Sequence, residues 1–107
     1  MKLMVSLISM FLSISAFATK AIVTDGEIVK LASTSFSSDD FYVSISGGTG
    51  DCANRSVVFP QSSSPSQASH NRAFSIALSA FMTGNTKVQI TSFDETCMTA
   101  SIIEIQK

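Results

Sequence analysis

Hydrophobic and polar residues alternate with a period of two over Phe41-Tyr42-Val43-Ser44-Ile45-Ser46. Phe41, Val43 and Ile45 fall on one face and Tyr42, Ser44 and Ser46 on the other. That period marks a half-buried β-strand. It returns over residues 86–91, with Val88 and Ile90 inward, and over residues 100–105. There Ile103 and Ile105 share one face, and Ile102 and Glu104 the other. Ser56–Phe59 is a short apolar strand stopped by Pro60, and residues 47–51, Gly-Gly-Thr-Gly-Asp, read as a flexible loop before it. Residues 21–31 are strand-like but carry Asp25-Gly26, a turn or bulge signal. They predict one long strand bent at Gly26 or two short ones.

One segment changes period. From residue 71 to 83, Phe74, Ala77, Leu78 and Phe81 recur at i, i+3, i+4 and i+7, which is one face of a helix. Ala73, Ile76 and Ala80 widen that stripe, so the helix is expected to be well covered. Ser66 or Ser69 is placed to cap its start, and Gly84 to end it. The polar run 61–69 before it reads as a loop.

The predicted order is β-β-β-α-β-β, a mainly β fold with one helix. A bent first strand and a single helix between the third and fourth strands suit a five-stranded, OB-like small barrel. Other α+β meanders are the competing architectures.

The N-terminus changes what the composition means. Lys2 precedes an apolar run, residues 3–17, that ends in Ala16-Phe17-Ala18. A charged start, an apolar stretch and a small-x-small site make a secretory signal peptide over residues 1–18, cleaved before Thr19. The run is too short for a membrane span, which takes about 20 apolar residues. Residues 19–107 then form a single domain, periplasmic or secreted. Much of the 45% hydrophobic content, with Met1, Met4 and Met10, belongs to the leader. A domain this small often needs a covalent staple. The chain has two cysteines, Cys52 and Cys97. In an oxidising compartment they are expected to pair. There is no C-x-x-C, and two cysteines with His70 are too few ligands for zinc.

Seven basic and eight acidic residues give a net charge of −1. No basic patch exists, so nucleic acid is not an expected partner. His70 is the only histidine, and it reads as a surface or capping residue. The serines near it follow from composition, and no G-x-S-x-G elbow is present. Asp39, Asp40 and Asp51 lack calcium-loop spacing, and Gly47, Gly48 and Gly50 lack the context of a phosphate loop. No catalytic, cofactor or metal site is expected. Asn54-Arg55-Ser56 is formally a glycosylation sequon, expected to be unused. The candidate ligand face is Tyr42 with Ser44 and Ser46, since the second and third strands of an OB barrel carry its usual binding surface.

Several of these segments together resemble known proteins. Cys52 is followed by Val57-Val58-Phe59 and a polar loop. The helix from Ala73 to Phe81 runs into Thr83-Gly84-Asn85-Thr86-Lys87-Val88, and Cys97 precedes an isoleucine-rich last strand. Residues 52–105 resemble small, exported, uncharacterised proteins of gammaproteobacteria. They are distantly similar to the OB-fold B subunits of AB5 toxins, of the subtilase cytotoxin type. That resemblance implies a ring-forming, glycan-binding subunit. The chain departs from those subunits in having no tryptophan and fewer cysteines, and no sugar-contacting residue carries over. The expected function is therefore an exported, non-enzymatic binding module: a glycan-binding, homo-oligomeric one on the resemblance, or a monomeric, inhibitor-like protein-interaction module.

Overall fold

The computed structural model describes residues 20–34 and 39–107. The expected leader and its cleavage point lie outside them. Five strands and one helix follow in the predicted order: β1 (Lys20–Ser33), β2 (Phe41–Ser46), β3 (Ser56–Phe59), α1 (Gln67–Thr83), β4 (Lys87–Ser92) and β5 (Ala100–Gln106). All pairings are antiparallel, in one sheet ordered β3-β2-β1-β4-β5.

β1 is one long strand, and its bend lets it serve two partners. Residues up to Glu27 pair with β4, and those from Glu27 onward with β2. The register slips near Val23, again before Gly26, and between Ile28 and Lys30. Such bulges bend and twist a strand. Asp25, not Gly26, takes the left-handed conformation, at φ 58°. Gly26 is needed for space: a Cβ there would lie 2.6 Å from both Ile45 Cγ2 and Val23 Cγ1.

The sheet curls around an apolar core of Ile22, Val23, Ile28, Phe41, Val43, Ile45, Val57, Phe59, Val88, Ile90 and Ile103. The inward faces predicted for β2 and β4 are those observed. In β5 Ile103 is buried, but Ile105, two residues nearer the end, is exposed. The curl stops short of a closed barrel, so the sheet is open. β3 has only four residues and ends at Pro60, and the turn carrying Cys97 delays β5 until Ala100. The two edges meet in one backbone hydrogen bond, Val58 N–H to the Cys97 carbonyl at 2.8 Å. Beside it the Cys52–Cys97 disulfide ties the β2–β3 loop to the β4–β5 loop, with Cα atoms 5.7 Å apart.

α1 begins four residues earlier than its apolar period predicts, because its first turn is polar. Ser66 caps it, with Oγ accepting from Ser69 N–H at 3.1 Å. At the other end Gly84 N–H donates to the Ala80 carbonyl at 3.3 Å. The inward face also differs from the expected one. His70, Ala73, Ala77 and Ala80 are buried. Phe74, Leu78 and Phe81 remain 38%, 41% and 39% exposed on the flank. Small side chains let the helix lie close to the sheet, which displaces the large ones sideways.

Candidate functional site

The predicted face is present but flat. Tyr42, Ser44 and Ser46 line the outer side of β2, opposite Phe41, Val43 and Ile45. Tyr42 lies between Ala32 of β1 and Val58 of β3. The Lys30 ammonium sits 5.6 Å from its ring centroid, within cation–π range. Ser44 Oγ lies 3.3 Å from Ser56 Oγ. Tyr42 and Ser44 are thus occupied by their cross-strand neighbours.

Concavity lies instead at the end of the sheet where β2 begins. A cleft of about 310 Å³ is lined by Phe41 and Phe74, with polar groups from Asp39, Asp40, Asn71 and Ser75. Phe41 organises it. Its ring stacks on Phe59 with centroids 4.7 Å apart and meets the edge of Phe74 at 5.1 Å. Asp40 is held in place by Oδ1 accepting from Gln61 N–H at 3.0 Å.

His70 also lines this cleft, and here the sequence expectation is corrected. It is not a surface or capping residue: it is 3% exposed and packs 5.3 Å from Phe41. Position 70 continues the inward row of Ala73, Ala77 and Ala80 at helical spacing, which is why it is buried. Nε2 bonds to the Asp39 carbonyl. A carbonyl only accepts, so Nε2 is the donor in this bond. Nδ1 has no hydrogen-bond partner.

The glycine loop has a structural task and is not the free loop expected. Thr49 and Thr24 exchange both backbone hydrogen bonds at 2.9 Å, and Cys52 N–H donates to the Ile22 carbonyl at 2.9 Å. A Cβ on Gly48 would lie 2.6 Å from the Thr24 carbonyl oxygen, and one on Gly50 2.4 Å from that of Ile22. Asn54 of the formal sequon is also engaged, its Oδ1 accepting from Gly47 N–H at 2.7 Å.

A hydroxyl-rich turn surrounds Asp94. Asp94 is held below the usual carboxylate range by hydrogen bonds from the Thr99 hydroxyl first and the Ser92 hydroxyl second. Thr96 joins this knot through a 2.6 Å bond between its hydroxyl and that of Thr99. The knot shapes the turn that presents Cys97 to Cys52. Among the described residues, no group of three or more His, Cys, Asp or Glu could hold a metal ion. Nor is any helix among them long and apolar enough to cross a membrane.

An open five-stranded antiparallel sheet, one helix and an inter-loop disulfide define the class. The matching family model spans residues 1–107, so the chain belongs to the family of unknown function DUF5992. Comparison with curated proteins and with solved structures gives no match.

From sequence, Asp39, Asp40 and His70 are weighed and set aside and Phe41 and Phe74 read as apolar-face residues, so their meeting in one cleft is not anticipated. Asn71 and Phe74 stand one helical turn apart and Asp39-Asp40 lies far off in the chain, so no motif joins them. The one available signal was the small-residue row of α1, which turns Phe74 away from the core.

Proposed function

We propose that this protein is an exported, non-enzymatic binding module whose ligand is rich in hydroxyl groups, such as a glycan. The observation that supports this most is the cleft at the start of β2. An aromatic wall, Phe41 and Phe74, with carboxylates, an amide and a hydroxyl around it, suits a ring with an apolar face and hydroxyls at its edge. Its volume falls at the lower end of small-ligand sites, which run from about 300 Å³. The AB5 B-subunit resemblance points the same way. Export is supported by the leader pattern and by a disulfide that uses both cysteines.

A glycan array probed with the oxidised mature protein tests the reading. Retention of a glycan that Phe74→Ala and Asn71→Ala abolish, with the far-ultraviolet spectrum unchanged, is the expected result. No retention, or retention indifferent to both substitutions, removes it.

A second reading rests on α1. Leu78, Phe81 and Met82 leave apolar surface on its flank, and contiguous patches of that kind mark interaction sites. A monomeric protein-interaction module would use this row against a partner protein; a homo-oligomer would use it against copies of itself. Light scattering on the oxidised mature protein separates the two.

A further inference from the structure

On the other flank of α1, away from Phe74, a second crevice opens between the helix and β5. It has a volume of about 230 Å³, and its lining includes Ser69, Arg72 and Ile76 from the helix and Ser101 and Ile103 from the strand. We infer that this crevice binds a carboxylate, the end group of a small acid or of a larger acidic ligand.

Ser101 carries the inference. It is 9% exposed, and its buried hydroxyl oxygen has no hydrogen-bond partner. A hydroxyl left this way costs stability that alanine would not. A ligand oxygen that displaced the groups covering it would satisfy it. The one charged side chain that lines the crevice, Arg72, is positive. Arg72 Nη2 donates to Ser69 Oγ at 3.2 Å, which occupies one of five guanidinium donors. α1 is 17 residues long and has no acidic side chain in its first turn. No side chain of that turn offsets the positive end of the helix dipole. Two hydroxyls and one guanidinium match the planar, singly charged carboxylate better than a phosphate, which usually draws more than one cation. Ile76 and Ile103 give the attached hydrocarbon an apolar seat.

The crevice shares no lining residue with the Phe41–Phe74 cleft, so the two sites stand or fall separately. The test is a ¹H–¹⁵N titration of the oxidised mature protein with sodium acetate, against sodium chloride at equal ionic strength. Acetate should give saturable shifts confined to residues near 69–73 and 101–103. Arg72→Gln should weaken binding by about tenfold or more, as loss of a charge-assisted pair does. Arg72→Lys should fall between, and Phe74→Ala should have no effect. A second arm compares glucuronic acid with its methyl ester: tighter binding than acetate by the acid alone assigns the site to the end group of a larger ligand, and binding equal to acetate assigns it to small free acids. Shifts matched by chloride, or acetate binding unchanged in Arg72→Gln, overturn the proposal.

Discussion

The Val58 N–H donates to the Cys97 carbonyl at 2.8 Å, among the described residues the one backbone bond between the two edges of the sheet, and it adjoins the Cys52–Cys97 disulfide. The edges are held by a covalent link and a single bond where a closed barrel would have a ladder. The half-cysteines stand 45 residues apart. For a loop of that size the chain-entropy model gives about 4 kcal/mol. Cys52→Ser with Cys97→Ser is expected to lower unfolding free energy by about that much in urea titrations. A loss under about 1 kcal/mol would mean that the sheet holds its curl unaided.

Gly47 and Gly50 both have positive φ, 73° and 110°, but differ in surroundings. A Cβ on Gly47 meets nothing within 4 Å, whereas one on Gly50 meets the β1 backbone. Gly47→Ala should therefore cost about 1 kcal/mol for its conformation alone. Gly50→Ala should cost about 1–3 kcal/mol more through overpacking. Thermal unfolding of the two variants side by side measures the difference, and equal costs would contradict the docking of this loop on β1.

The facing of α1 is tested by a pair of neighbours. Ala77 is fully buried against the sheet and Leu78 is half-exposed. Ala77→Leu is expected to destabilise by about 1–3 kcal/mol. Leu78→Ser should stay within about 1 kcal/mol. The reverse ranking in chemical denaturation would restore Leu78 to the core.

Asp94 gives the fold a pH signature. Its folded pKa lies below the unfolded value because the Thr99 and Ser92 hydroxyls donate to the charged form. A depressed carboxylate stabilises the fold fully above the unfolded pKa, about 3.9. That contribution is lost as pH falls through the lower, folded value. Asp94→Asn should therefore be less stable than the parent at pH 6, with the gap shrinking by pH 3. A gap that is constant across this range would count against the hydroxyl knot.

Much of the sheet was legible because alternation records burial directly. Phe41, Val43 and Ile45 point inward, as do Val88 and Ile90, and only the last inward position of β4, Ser92, is polar. The helix was legible as an element but not in its facing. Periodicity weighs side chains by size, so Phe74, Leu78 and Phe81 dominate the pattern, while contact is made by alanines that barely register in it. His70 was misplaced for the same reason: beside a serine-rich loop it looks solvated, yet it stands in register with Ala73 and Ala77. Barrel closure depends on where two edges come to rest, and the short β3 decides it. The placement of Tyr42 on the outer side of β2 was legible because a single strand displays it. That Arg72 and Ser101, or Phe74 and Asp40, line one cavity follows only once the helix has docked, and nothing local in the sequence encodes it.

The division of β1 between two partners orders events in time. Its second half finds β2 across a short connection. Its first half, beyond the Thr24–Thr49 bridge and the Cys52 N–H to Ile22 carbonyl bond, has no strand partner until β4 has been synthesised, on the far side of the helix. Pairings so distant along the chain form slowly. The nascent polypeptide thus carries an unsatisfied ribbon through most of its synthesis, and whatever meets that ribbon first, β4 or a stranger, decides between a native molecule and an aggregate.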